Sequence, residues 1–377
     1  MEAAGLDRVV RAEDVAHMGI TEVIRHMPRI YGRYRRLVAS IKKRRPDAAI
    51  LIDFPDVNFR LARKLKKLGI PVIYFVSPQL WAWKRRRLRW VQQRVDRMMV
   101  IFPFEERFYC ARGVEAKFVG HPLAELPKPT ISREAYAAAY DLDPAKPWIA
   151  LLPGSRWKEV IANLEPMVEL TYHFPENCNY ILPVASTIDP KKLATEIVGH
   201  DDWLPHDTDE ALKQLNIRLV PDAREALHHA RASVVASGTA TVQAAVIGTP
   251  FIVVYRVSRL TFWLAKRLIR YPREIWNPTR PDPHGNLPIA MVNLVAGRRI
   301  VPELLQRDFT AENIAVALHP LLAGGPERDQ MIADLAQVGH SLQPPPGTSS
   351  IQQVCDAVEA LLEEKSPASG LNSTASV

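Results

Sequence analysis

An apolar run from Trp148 to Leu152 breaks at Pro153-Gly154 into Ser155 and Arg156. Proline and glycine end a strand, a serine can cap the helix that follows, and an arginine adds a planar fork of donors where helix N–H groups point outward. The stretch LLPGSRWKE therefore reads as a strand ending in a turn suited to a diphosphate. A second turn of this kind follows Ala232 to Ala236, where Ser237-Gly238-Thr239-Ala240-Thr241 leads into the helix-like run Val242 to Ile247. Alone, each turn is weak, because most glycine turns between a strand and a helix bind nothing. Two in one half of the chain, with Asn293 downstream, point to a nucleotide-sugar pocket.

Acid–base chemistry has a candidate nearer the start. Ile52-Asp53-Phe54-Pro55-Asp56-Val57-Asn58-Phe59 sets two carboxylates at a strand end. Asp56, in a proline-containing turn, is expected to cap a helix starting near Phe59, which leaves Asp53 as the general base for an acceptor hydroxyl. Two further segments interleave large aromatics with cations: Trp81 and Trp83 run into Lys84, Arg85, Arg86 and Arg87, and Phe262 and Trp263 precede Lys266 and Arg267. Tryptophan favours the membrane interface and Arg and Lys favour anionic headgroups, so the pair of segments suggests a membrane surface or a lipid substrate; for each alone, core tryptophans with solvated cations explain it equally well. No nucleic-acid recognition motif accompanies the charge, and nucleic acid is not an expected partner.

The elements that must position these residues alternate. Ala48 to Ile52 reads as a buried parallel strand, Phe59 to Leu68 as a helix ended by Gly69, Pro71 to Val76 as a strand, Leu88 to Val95 as a helix and Met98 to Phe102 as a strand. After a Pro-rich stretch around Ala124 to Thr130 the alternation resumes at Trp148, with strands at 180–184, 217–220, 232–236 and 250–255. The expected fold is α/β: two Rossmann-like doubly wound domains, 1–125 and 126–340, facing a central cleft, then a helix over 341–365 and a small, polar, disordered tail over 366–377.

The 377 residues suffice for two domains, and 47% hydrophobic content is ample for their cores. No run reaches the roughly twenty apolar residues of a membrane span, and the start lacks the blocks of a signal peptide, so a cytoplasmic body is expected. Cys110, Cys178 and Cys355 are too widely spaced for a disulfide framework or a metal cluster, and adjacent His228 and His229 lack partners at ligand spacing; a solvated helix face suits them, and no metal or cofactor is expected. The net charge of +8 gathers in Arg33 to Arg45 and Lys84 to Arg89.

The blocks IDFPDVNFRLA, YFVSPQLWAWKRRR, FPFEERFY with FVGHPLAE, LLPGSRWKE, SGTATVQAA, YRVSRLTFWLAKRL and NLVAGRRIVPELLQ together resemble the lipid-A-disaccharide synthases, in the same order and over most of the chain from Met1 to about Leu305. The resemblance implies a metal-independent, inverting GT-B glycosyltransferase. Such an enzyme joins UDP-2,3-diacylglucosamine to 2,3-diacylglucosamine 1-phosphate through a β-1,6 bond and releases UDP. It implies Asp53 as an essential residue and the base, Arg156 against the departing diphosphate, and Ser155, Ser237, Gly238, Thr239, Gln243 and Asn293 around UDP. Trp81, Trp83, Arg85, Arg86, Phe262, Trp263, Lys266 and Arg267 would then contact acylated substrates in an anionic inner-membrane surface, with the enzyme peripheral on its inner face. Glu105, Arg107, Gly120 and His121 sit in blocks that suggest acceptor binding, though turn and cap roles fit them equally. The family includes dimers that exchange C-terminal segments, so a homodimer is an open expectation.

The chain also departs from the family pattern. A first strand and a GExSGD-like loop precede the family block that Met1-Glu2-Ala3-Ala4-Gly5 resembles; the first domain is expected to be truncated at its N-terminus here, either through a start codon assigned too late, the favoured explanation, or through a real truncation of the protein. Gln243 stands for a usual glutamate, Trp157 for a small residue and Val292 for proline, and Asn277 to Asn286 looks like an insertion. Two other functions compete: a GT-B transferase acting on another lipid or cell-wall precursor, and a catalytically inactive membrane-binding homologue.

Overall fold

The computed structural model describes residues 5, 7–10, 20–174, 178–199, 204, 205, 207–276 and 282–365. The expected tail and residues 277–281 of the expected insertion lie outside them. The chain forms two compact units: Met1–Ile101, Glu105–Val119 and Pro345–Val377 make one, and Phe102–Phe104 with Gly120–Pro344 make the other. The division therefore falls at Val119/Gly120, and the C-terminal helix counts with the first unit.

In the first unit, helix α1 (Ile20–Arg44) leads to β1 (Ala49–Ile52), α2 (Pro55–Lys67), β2 (Val72–Phe75), α3 (Leu88–Arg94), β3 (Arg97–Val100), α4 (Pro103–Cys110), whose first two residues count with the second unit, and β4 (Ala116–Phe118). The four strands pair in parallel in the order β1-β2-β3-β4. Val72 to Phe75 is buried at every position, which is why it reads as a continuous apolar run. β1 does not meet the expectation of a buried strand: Ile50 and Ile52 are exposed, because it forms the edge of this sheet among the described residues. α2 starts at Pro55, earlier than Phe59, since proline's fixed φ suits a first helical position. Asp56 consequently lies within the first turn, ion-paired to Arg87 at 2.7 Å, and caps nothing.

The second unit runs α5 (Arg133–Tyr140), β5 (Trp148–Leu152), α6 (Trp157–Glu169), β6 (Asn179–Pro183), α7 (Pro190–Val198), α8 (Thr208–Gln214), β7 (Ile217–Val220), α9 (Ala223–His229), β8 (Ala232–Ala236), α10 (Thr239–Ile247), β9 (Phe251–Tyr255), α11 (Arg259–Leu268), α12 (Met291–Ala296), β10 (Glu303–Leu305), α13 (Ala311–Ala323) and α14 (Pro326–Ser341). Its six-stranded parallel sheet has the order β10-β9-β8-β5-β6-β7. Strand order reverses between β5 and β8, and a doubly wound sheet opens its ligand crevice at the carboxyl ends there. His229 is buried against Tyr136 and Trp148 rather than solvated.

At the start of the second unit Gly120 holds φ +89°, and a Cβ on it would fall 2.5 Å from the Pro344 nitrogen, so only glycine fits. The neighbouring His121 N–H donates to Leu342 O at 2.7 Å. Helix α15 (Ser350–Lys365) packs against β2, with Gln353 donating to Val119 O at 2.9 Å and Glu364 paired with Arg97 at 2.7 Å.

Candidate active site

Both glycine turns predicted from sequence lie at the β5/β8 switch point and line one cavity of about 880 Å³. From the β5 side come Gly154, Ser155, Arg156, Lys158 and Glu159, and from the β8 side Ser237, Gly238, Thr239, Ala240 and Gln243. Pro183, Val184, Ala185 and Pro221 add an apolar wall. A volume of this size accommodates a nucleotide-linked sugar.

The β5 turn packs closely against the start of α6. Gly154 sits at φ +135°, where a Cβ would lie 2.8 Å from that of Glu159. Asn163 on α6 donates to Pro153 O at 2.8 Å, and Thr187 donates to Ser155 O at 2.6 Å, pinning the turn from two directions. Ser155 does not cap α6; the N-cap is Arg156 and it makes no side-chain cap bond, which leaves the first N–H groups of α6 facing outward. Arg156 is largely exposed and donates to Glu159 at 2.7 Å, a pairing that an incoming diphosphate can replace. Across the cavity, Gly238 is the N-cap of α10, again without a side-chain cap.

The cavity also takes residues that the sequence did not single out. Tyr255, Arg256, Ser258 and Thr261 line its far side. Arg256 donates to Phe309 O and lies 4.9 Å from the centre of that ring, so it is a braced cation in addition to Arg156 and Lys158. Its signal was present in the YRVSRLTFW block, but nothing local tied that block to the two glycine turns.

Two expectations need correction. Asn293 is wholly buried and does not line the cavity. Its amide donates to Val301 O (3.0 Å) and Glu303 Oε1 (2.8 Å), and its oxygen accepts from Ile300 N–H (2.7 Å) and Val301 N–H (3.1 Å), so it knots the α12–β10 loop. Trp81 is 1% exposed and its indole N–H donates to Glu105 at 3.1 Å, which removes it from any lipid-facing set. Trp157, whose bulk could have crowded the turn, lies outside the cavity under Lys192, 4.0 Å from its ring centre.

The remaining aromatic–basic residues are on the surface. Trp83 is 44% exposed with Lys84 Nζ 3.9 Å over its ring, and Arg85 and Arg86 are exposed beside it. No residue of helix α11 is fully buried: Leu260, Trp263, Leu264 and Leu268 are exposed, Phe262 is half-buried, and Lys266 and Arg267 flank them. Among the described residues, no helix is long and apolar enough to cross a membrane.

Asp53 belongs to the first unit, exposed at the carboxyl end of β1. Glu105 is buried there, accepting from Ser77 Oγ at 2.9 Å as well as from Trp81, and it braces the 77–81 loop. Arg107 is exposed. His121 is buried, its Nδ1 accepts from Leu123 N–H at 3.1 Å, and burial pushes its pKa down to about 4. Glu105 and His121 thus have structural work that accounts for them.

Two parallel α/β units, one with paired glycine turns at its switch point, define a protein of the GT-B class, the fold shared by nucleotide-sugar transferases and epimerases. Solved structures agree: the UDP-GlcNAc 2-epimerase of Neisseria meningitidis bound to UDP-GlcNAc matches with a TM-score of 0.54 at 12% identity, over 92% of this chain and 83% of that one. UGT73P12 of Glycyrrhiza uralensis matches with a TM-score of 0.56 at 12% identity, over 90% and 80%. Sequence comparison is more specific. The family model described as lipid-A-disaccharide synthetase matches residues 1–344. The lipid-A-disaccharide synthase of Acidobacterium capsulatum is 51% identical over 97% of this chain and 88% of its own, and that of Koribacter versatilis 45% identical over 91% and 83%. The chain belongs to the lipid-A-disaccharide synthase family and is a glycosyltransferase of lipid A biosynthesis, acting on a sugar nucleotide and a lipid-linked glucosamine.

Proposed function

We propose that the second unit holds UDP-2,3-diacylglucosamine and that the carboxyl end of the first sheet receives 2,3-diacylglucosamine 1-phosphate. The observation that carries this reading is the convergence of Ser155, Arg156, Ser237, Gly238, Thr239 and Gln243 on one cavity at the β5/β8 switch point. Asp53 takes the proton of the acceptor 6-hydroxyl as its oxygen attacks C1 of the donor sugar. The C1–O bond to the diphosphate breaks, its electron pair leaves with UDP, and the configuration at C1 inverts. Arg156, freed from Glu159, and the uncapped N–H groups of α6 and α10 take up the charge that develops on the diphosphate. Gln243 hydrogen-bonds the ribose without adding charge.

Access to acylated substrates falls to α11 and to the Trp83–Arg86 segment, whose exposed apolar and cationic groups suit the anionic inner face of a bilayer. The enzyme is then peripheral on that membrane.

Formation of the disaccharide 1-phosphate from the two acylated glucosamines, followed by mass spectrometry, tests the reading. Base catalysis is worth about two to four orders of magnitude, so Asp53→Ala should lower kcat by roughly that factor. A folded protein that makes no product, or an Asp53→Ala variant with parental turnover, overturns it.

A further inference from the structure

Asp53 sits in a strained turn, and the strain shows what aims it. Asp53 (φ 43°) and Phe54 (φ 45°) are successive left-handed residues that carry side chains, and Val76, leaving the neighbouring strand, is a third at φ 64°. Such residues cost of order 1–3 kcal/mol each and persist only where their surroundings over-determine them. Arg45, Asp141 and Asn216 are also left-handed, but they end helices, where one such residue is ordinary, and Lys84 and Gln306, the latter following β10, are isolated single residues rather than a successive pair. Asp53, Phe54 and Val76 instead follow directly on two adjacent parallel strands.

The surroundings of Asp53 are specific. Its N–H makes the last ladder bond of β1, to Phe75 O at 3.0 Å. Its carbonyl then swings out of the ladder and is taken from two sides, by Asn58 Nδ2 at 2.6 Å and by Tyr74 Oη at 2.6 Å. Asn58 Nδ2 also donates to Ile52 O at 3.0 Å, so one amide clamps the last strand carbonyl and the first turn carbonyl together. Tyr74 is wholly buried with its ring 5.6 Å from that of Phe59, and burial drives its phenol far above the usual range, so the hydroxyl stays protonated. Both donors hold the main chain and leave the carboxylate free.

We propose that Asn58 and Tyr74 are positioning residues. By holding the Asp53 carbonyl from two directions they fix the direction of its Cα–Cβ bond, and so aim the carboxylate at the acceptor hydroxyl. This rests on the reading of Asp53 as the base, and the test separates the two ideas.

Tyr74→Phe keeps the packed ring and removes one donor; Asn58→Ala removes the other. Each is compared with Asp53→Ala and with the Asp53→Ala/Tyr74→Phe double variant in steady-state kinetics for both substrates. Misaiming a catalytic group by about an ångström costs on the order of 100-fold, so kcat should fall about 10- to 100-fold in each single variant while both KM values stay within about twofold. The double variant should be no slower than Asp53→Ala, because a turn without its carboxylate has nothing left to aim. Parental kcat in Tyr74→Phe, a raised KM with kcat intact, or losses that multiply in the double variant would overturn the positioning role. An Asp53→Ala enzyme with parental kcat would sink the base reading instead, and is recognisable because it needs no second mutation. Should Asn58→Ala fail to fold, Tyr74→Phe decides alone.

Discussion

Removing the Asn293 side chain separates a structural role from a ligand role at one residue. In Asn293→Ala the N–H groups of Ile300 and Val301 lose their acceptor, and Val301 O and Glu303 Oε1 lose a donor, all around a fully buried site. Glu303 keeps the N–H groups of Ile289 and Ala290, so its loss is partly compensated. An unsatisfied buried polar group costs about 1–3 kcal/mol; two orphaned N–H groups, the orphaned Val301 carbonyl and the partly compensated Glu303 oxygen therefore sum to at least about 3 kcal/mol. Urea denaturation followed by tryptophan fluorescence should show that loss, and UDP titration calorimetry on the folded protein should show affinity within about threefold of the parent, since no cavity contact is removed. Ser237→Ala should behave in the opposite way, with weakened UDP binding and an unshifted midpoint. An Asn293→Ala protein of parental stability whose UDP affinity drops tenfold or more would refute the placement of Asn293 as a loop knot.

Arg156→Ala should lower kcat/KM by about 10²–10³-fold, with Arg156→Lys recovering only part of it because a point charge cannot fork onto two phosphate oxygens; equal activity of the two variants would contradict that geometry. Exchanging Trp263 and Leu264 on α11 for alanine should reduce sedimentation with anionic vesicles while leaving the melting temperature unchanged, and unaltered sedimentation would remove α11 from the membrane contact. His121 is neutral in the fold down to pH about 4, whereas an unfolded histidine takes up its proton near 6.5, so the stability it contributes is complete above about 6.5 and is lost as pH falls toward 4, by roughly 3 kcal/mol at the bottom of that window. His121→Gln should flatten the slope of stability against pH in that window, and an unchanged slope would refute the assignment.

The second unit was more legible in the sequence than the first, for physical reasons. Trp148–Leu152 and Ala232–Ala236 are buried at every position, so each announces itself as a short apolar run, and a glycine marks where each turn follows. That the two turns share a cavity was not local information, because it depends on β5 and β8 being neighbours across the reversal of strand order. Trp81 and Trp83 look alike in sequence; only Glu105, reached through the fold, draws one inward and leaves the other out. Asn293 was misplaced on the same ground, since its partners make it a knot and its residue type does not. Asp53 stands out in the sequence only by its place at a strand end, and its left-handed turn leaves no trace there, as no glycine marks it.

That missing glycine separates the two sheets. At the carboxyl ends of β5 and β8 the proposed reading has the ligand meet backbone N–H groups, which needs no side chain on the turning residue, and Gly154 and Gly238 stand there at φ +135° and +158°. At the end of β1 the reading requires a carboxylate on the turning residue itself, and glycine would delete the group the turn exists to present. The left-handed backbone must then be held by neighbours, which Asn58 and Tyr74 do through the carbonyl rather than through the carboxylate. It follows that Asp53→Gly should relieve strain while abolishing turnover, giving a protein at least as stable as Asp53→Ala and equally inactive, because alanine keeps the Cβ penalty that glycine removes. If Asp53→Gly were instead less stable than Asp53→Ala in urea denaturation, the turn would not be strained, and Asn58 and Tyr74 would have nothing to hold.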